Sequence, residues 1–493
     1  SRAAWAVSCR GRASSSSPAP VMANGRTSRS GSARARARSA AAPLAVALVL
    51  LVSSCGGTAT DPDAGVSGTI RLLVFGAPEE LKAFRDLVTA FRRVEPGVAV
   101  KLVEASDRED LLTRLSTSFA GGTPPDLFLL NYRFYAQFAA KRVLDPVEDR
   151  VAASTVFQQR DFHPQALDAF RFGGKLTCLP QNISSLVVYY NRSMFRRAGL
   201  ADPRAGWTWD DMVGAARALT RDADGDGWPD QHGMGVDPEV IRLAPFVWSN
   251  GGQLVDDTTR PTAFRLQEPA AVEALRRFLD LHRVHRVVPG QAEAEAESHE
   301  ARFQNGRLGM IMSSRRSTPA FRQITAFDWD VAALPRLAQP ASVLHSDAWC
   351  MAAASGNKDA AWRFMELALG PDGQRITAAT GRTVPSLIEL STSAAFLDPK
   401  AKPASSRVFV DTIPVVRRLP SVSTWPEIED VANAVLERAF YRDQPAEATA
   451  AEIVEQTRPI FARAAHLRLR GHALLPRRQQ AVRRRPGPRR LQP

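Results

Sequence analysis

The sequence predicts an α/β protein built as two domains. Strand and helix patterns alternate from the first periodic segment onward, and the links between them are short. About 400 residues of patterned sequence is also more than a single hydrophobic core serves. The first strand is read over 69–75 and closed by Gly76, Ala77 and Pro78. A helix over 79–94 follows, because Leu81, Phe84, Leu87, Val88 and Phe91 recur at three- and four-residue spacing and so share one face. A second strand over 98–104 leaves the Pro96-Gly97 turn, and a helix over 108–119 leads to the Gly121-Gly122-Thr123-Pro124-Pro125 turn. The continuous apolar run 126–130 is the third strand. This order describes a parallel-rich sheet with helices on both faces. Ligands of such sheets bind beyond the carboxyl ends of the strands, which points to Phe75-Gly76 and Asn131-Tyr132-Arg133.

Charge and targeting signals are confined to the ends. The formal charge is +13, yet residues 1–55 and 462–493 hold eight and ten arginines and no acid, so the body between them is mildly acidic. It lacks the clustered cations and interleaved aromatics of a nucleic-acid groove, and no nucleic-acid partner is expected. Within residues 1–55, arginines 26–38 precede an apolar stretch over 41–52 and then Ser53-Ser54-Cys55. That is a secretory signal, too short in its apolar part to span a bilayer stably. Cys55 after small residues resembles a bacterial lipobox, which would make it the lipidated first mature residue and tether the chain outside the cytoplasmic membrane. Met22 is the candidate start, and 462–493 reads as a basic, disordered tail. Cys178 and Cys350 remain in the body; in an exported protein they could form one disulfide if geometry allows, but they lie far apart in sequence and are read as buried free thiols.

Farther along, motifs accumulate in a fixed order. They run from Gly174-Lys175-Leu176 with Leu179-Pro180, through Tyr189-Tyr190-Asn191 with Met194-Phe195 and Trp207-Thr208-Trp209-Asp210-Asp211, to Trp248-Ser249-Asn250-Gly251-Gly252. The segment 303–310, Asp328-Trp329-Asp330-Val331 with Leu334-Pro335, Asp347-Ala348-Trp349, a helix over 359–369 and Trp425-Pro426-Glu427-Ile428-Glu429 complete the series. Over about residues 68–460 this resembles the extracellular solute-binding proteins of bacterial ABC sugar importers, the family that includes maltose-binding proteins. The resemblance implies a two-lobed periplasmic-binding-protein fold with a hinge, closing on ligand like a jaw. Projected here, lobe one is 66–180 plus 300–355 and lobe two is 183–297 plus 357–460, with crossings at 178–182 and 349–354. It further implies a monomer that captures a carbohydrate and delivers it to permease subunits, or serves a membrane sensor through the same cleft.

Sugars need hydrogen-bonding side chains and aromatic faces. The resemblance places Trp248 and Trp425 as stacking candidates, Asn250 and Gly251 at a turn near ligand, and Arg382 in a loop facing the cleft. Phe75, Asn131, Arg133, Asn182, Ser184, Asp347 and Trp349 flank strand ends and crossings. Where similar sugar binders often carry an aromatic, this chain has Arg315 and Arg316, whose guanidinium groups suit a sugar phosphate, a glycerol phosphodiester or an acidic sugar. Asp222, Asp224, Asp226 and Asp230 fall at positions 1, 3, 5 and 9 of a calcium loop with Gly227 at position 6, but Gly233 replaces the closing Glu, so any calcium would be weak and structural. No other cofactor is expected. Catalytic signatures such as GxSxG, HExxH and the P-loop are absent, and no carboxylate pair is fixed for glycoside chemistry.

Overall fold

The computed structural model describes residues 66–225, 227 and 229–473, with side chains to residue 464. The signal segment, Cys55, Asp226 and 474–493 lie outside the described residues. Among those described, no helix is long and apolar enough to cross a membrane.

Two sheets organise the chain. In the first, Val98–Glu104, Gly68–Val74 and Leu127–Asn131 lie side by side and parallel, and Asp347–Met351 and then Cys178–Pro180 complete it in antiparallel order. Its helices start as capping chemistry requires. Pro78 opens Pro78–Val94 with Glu79 and Glu80 in its first turn and Arg92 and Arg93 in its last, each charge opposing the helix dipole. Asp107 accepts from the Asp110 amide to cap Arg108–Ala120, and Asn131 accepts from the Arg133 amide to cap Tyr132–Ala139. These caps set Glu80, Arg108 and Arg133 in first turns at the carboxyl edge of the sheet.

The second sheet centres on Ser184–Asn191, fully buried along its length, which pairs with Leu308–Ser314 on one edge and with Trp329–Ala333 and Ser342–His345 on the other. His232–Gly235 and Val416–Arg417 extend it. The lobe boundaries therefore differ from the projected ones. Segment 308–345, expected in lobe one, belongs to lobe two, and the second crossing falls at Ser346. Helix Lys358–Leu369, expected in lobe two, packs on lobe one, with the Phe364 ring 5.2 Å from Phe91 and 5.5 Å from Trp349. The chain returns to lobe two after Ser391, whose hydroxyl still meets His163 in lobe one. A buried apolar strand carries no mark of which sheet it joins, so pairing alone decides it.

Two further corrections concern covalent and terminal structure. Cys178 and Cys350 are bonded, not free: they sit opposite each other on adjacent strands with Cα atoms 4.5 Å apart. The final helix Ala446–Ala473 runs on through the first part of the expected tail.

Candidate functional site

The site assembles where the chain passes between lobes. Gln181, Asn182 and Ile183 form the first crossing, and Ile183 donates to the Val384 carbonyl while Asn182 bridges Pro385. Ser346 lies between the two sheets at the second crossing, its hydroxyl donating to the Asn182 carbonyl at 2.6 Å. The Asn182 side-chain oxygen in turn accepts from the Asp347 amide at 2.9 Å. Asn131 donates from Nδ2 to Asp347 Oδ1 at 3.1 Å, so strand end and crossing share one network.

Charged groups ring this seam. Arg133 of lobe one and Glu429 of lobe two form an ion pair at 2.7 Å that joins the lobes, with side chains 17% and 5% exposed. Burial pushes the Glu429 carboxyl up while Arg133 pulls it down. Arg382 pairs with Glu80 and donates to the Arg316 carbonyl at 3.3 Å. Burial raises the Glu80 carboxyl to about 7 against the opposing pull of Arg382. Gly76 makes room for that carboxyl, since a Cβ there would stand 2.5 Å from Glu80 Oε2. His345, buried just before the second crossing, is held neutral by desolvation and by Arg242, Arg133 and Arg316 around it.

Several buried groups at the crossings have no hydrogen-bond partner among the described residues. They are both amide atoms of Gln181 and the hydroxyls of Ser185 and Thr383. Buried polar groups are normally satisfied, so a cluster of orphans at one seam marks a place built to bond something else. Partly exposed aromatic surface lies at the carboxyl edge of the first sheet: Phe75 follows strand Gly68–Val74, and Phe134 sits in helix Tyr132–Ala139. Glu80, Arg108, Phe134 and Gln181 were missed by sequence reading. A charge in a helix first turn reads as solvated until a second lobe covers it.

The structure brings Phe75, Asn131, Arg133, Asn182, Ser184, Asp347 and Arg382 to this seam, but it moves others away. Trp349 is enclosed between Phe84 and Phe364 in the lobe-one core. Trp425 is wholly buried against Phe264, and Trp248 is covered by the Arg417 guanidinium 4.8 Å from its ring centre. Neither offers a stacking face; large apolar rings near a lobe centre fill the core first. Asn250 donates to the Ala270 carbonyl at 2.8 Å, and Gly251, at φ 85°, turns the chain out of helix Val240–Ser249. Arg315 is also corrected. It is 1% exposed, donates to the Gly381 carbonyl at 2.7 Å and Ser406 at 3.0 Å, and lies over Phe396 and Phe409. Burial lowers it to about 9. Arg316 stays half-exposed and pairs with Glu300 at 2.7 Å.

Apart from the seam, lobe two holds a cavity of about 320 Å³ lined by Asp237, Glu239, His299, Glu437 and Tyr441 among others. On its surface the carboxylates of Asp222, Asp224 and Asp230 offer oxygens within 4.8 Å of one another, and Asp222 already accepts from the Gly225 and Gly227 amides.

With this geometry established, comparison with known proteins decides the family. The profile of the bacterial extracellular solute-binding protein family matches residues 77–375. The chain belongs to the bacterial extracellular solute-binding proteins. Among relatives of this solute-binding protein, the maltotriose-binding protein of Pyrococcus abyssi is 21% identical, over 59% of this chain and 60% of its own. An ABC substrate-binding protein from Listeria monocytogenes, solved with cycloalternan, superposes with a TM-score of 0.73 at 25% identity, covering 80% of this chain and 99% of that one. UgpB of Mycobacterium tuberculosis, solved with glycerophosphocholine, reaches a TM-score of 0.70 at 21% identity, over 80% and 99%. The two-lobed fold and an extracytoplasmic place of work follow for this solute-binding protein.

Proposed function

We propose that this solute-binding protein captures a carbohydrate or carbohydrate derivative at the seam between its lobes and delivers it to the permease of an ABC importer, tethered to the membrane by lipid on Cys55. The observation that carries the reading is the set of unpartnered buried groups at the crossings, Gln181, Ser185 and Thr383, together with the partly exposed rings of Phe75 and Phe134 at the carboxyl edge of the first sheet. A polyol presents donors and acceptors in alternation with weakly apolar ring faces, which is what such a mixed lining bonds. Support also comes from relatives described as binding maltotriose and cycloalternan. Binding is non-covalent and leaves the ligand unchanged.

The reaction cycle is mechanical. Ligand bonded to groups of both lobes favours the closed arrangement, which the Arg133–Glu429 pair also supports, and a closed shape is what a permease distinguishes from an open one. A thermal-shift screen across neutral sugars, oligosaccharides, sugar acids and sugar phosphates tests this, because a ligand of the folded state raises the melting temperature. At least one carbohydrate is expected to stabilise the protein, and Gln181→Ala to abolish that shift. A screen in which no carbohydrate acts would refute the reading.

A further inference from the structure

Arg108 stands apart from the other cations of the seam. Arg133, Arg382 and Arg316 each pair with an acid, Glu429, Glu80 and Glu300. Arg108 has no carboxylate within 4.0 Å among the described residues, and its buried Nε has no hydrogen-bond partner. Its guanidinium carbon lies 5.3 Å from the Phe75 ring centre and 5.7 Å from that of Phe134. Aromatic rings against a guanidinium's faces leave its in-plane N–H groups available, and those form the fork that grips carboxylate or phosphate. Arg133, Arg316 and Arg382 act on Arg108 as like charges, but each has its own acid, and the acids that oppose them at Arg108, Asp347 and Glu80, are themselves bonded to Asn131 and Arg382.

Holding a largely desolvated guanidinium without an acid of its own is costly unless an anion joins it. We infer that Arg108 receives an acidic group of the captured ligand, a carboxylate or a phosphate on a sugar, so that the seam prefers acidic carbohydrates to their neutral counterparts. This rests on the reading of the seam as a carbohydrate site and names its ligand class. Arg108, rather than the Arg315 and Arg316 pair suggested by sequence, is the anion-recognising residue: Arg315 is locked in the core and Arg316 is held by Glu300.

The test uses the folded protein against two matched sets, glucose with glucuronate and glucose 6-phosphate, and galactose with galacturonate, read by thermal shift and titration calorimetry. An acidic member is expected to bind at least about ten-fold tighter than its neutral partner, because a hydrogen bond to a charged group outweighs one between neutral groups. Arg108→Gln should erase that preference by weakening the acidic member far more than its neutral partner, and Arg108→Lys, which keeps the charge but not the fork, should restore part of it. The carboxylate and phosphate arms identify which anion is meant. Neutral and acidic members binding alike, neutral members alone binding, or Arg108→Gln weakening both equally would each overturn the inference and leave the carbohydrate reading standing. If none of the five sugars binds, the same pairs are repeated on the carbohydrate that stabilises the protein in the wider screen, and a preference for its neutral form overturns the inference alone.

Discussion

Glu80 shows how one carboxyl is poised by opposing forces. Burial raises its pKa from 4.5 to about 7, although Arg382 is its direct partner. Between pH 4.5 and 7 the folded protein then binds a proton that the unfolded chain has released, so this group's contribution to stability falls as pH rises through that window and is level above it. The full contribution is at most about 3 kcal/mol. Glu80→Gln cannot titrate, and the difference in unfolding free energy between wild type and variant, followed from pH 4.5 to 8, should trace that fall. A difference independent of pH would show that Glu80 stays ionised. The rings separate in a similar test. Phe75→Ala should weaken carbohydrate binding several-fold with little loss of stability. Trp425→Ala should cost about 3–5 kcal/mol of stability by opening the core, as denaturant titration would register. The places of Asn131, Arg133 and Asn182 at the seam were legible because they lie at or just after strand ends, and that of Asp347 because it opens the strand after a crossing. Glu80, Arg108 and Gln181 were not, because their burial comes from contact between segments hundreds of positions apart.

At the scale of elements, two devices hold the crossings. The Cys178–Cys350 bond clamps the strands that lead into and out of the hinge, closing a separation of 172 residues. Its bonding was invisible in sequence because only the register Cys350↔Cys178 brings the thiols together. Replacing both cysteines by serine should cost about 2–4 kcal/mol and lower the melting temperature, and a reductant should lower it for wild type alone. An unchanged melting temperature under both conditions would mean that the bond does not form. The second device is the Arg133–Glu429 pair between lobes. Glu429→Gln leaves Arg133 without its acid, so small-angle scattering should find a more open ligand-free form and calorimetry a weaker ligand. Helices and strands up to Asn131 were readable from periodicity almost to the residue. The placement of 308–345 and of helix Lys358–Leu369 was not, since both are apolar enough to fit either lobe.

For the whole molecule, the sequence pattern carried the family and the two-lobed plan, while the geometry relocated the crossings to 181–183, 346 and 391–396. Lipid on Cys55, as proposed, would keep the binding protein near a permease. Cys55→Ala should release the protein from the membrane fraction and remove the lipid mass from intact-mass spectra; retention with unchanged mass would refute lipidation there. The central claim is that ligand is held at the crossings between the lobes. A crystal structure with the carbohydrate that stabilises the protein most tests it directly. The account predicts that sugar bonded to Gln181 and packed against Phe75, with any acidic group on Arg108. Sugar seated instead in the lobe-two cavity by Asp237, His299 and Tyr441, with the crossings unengaged, would contradict it.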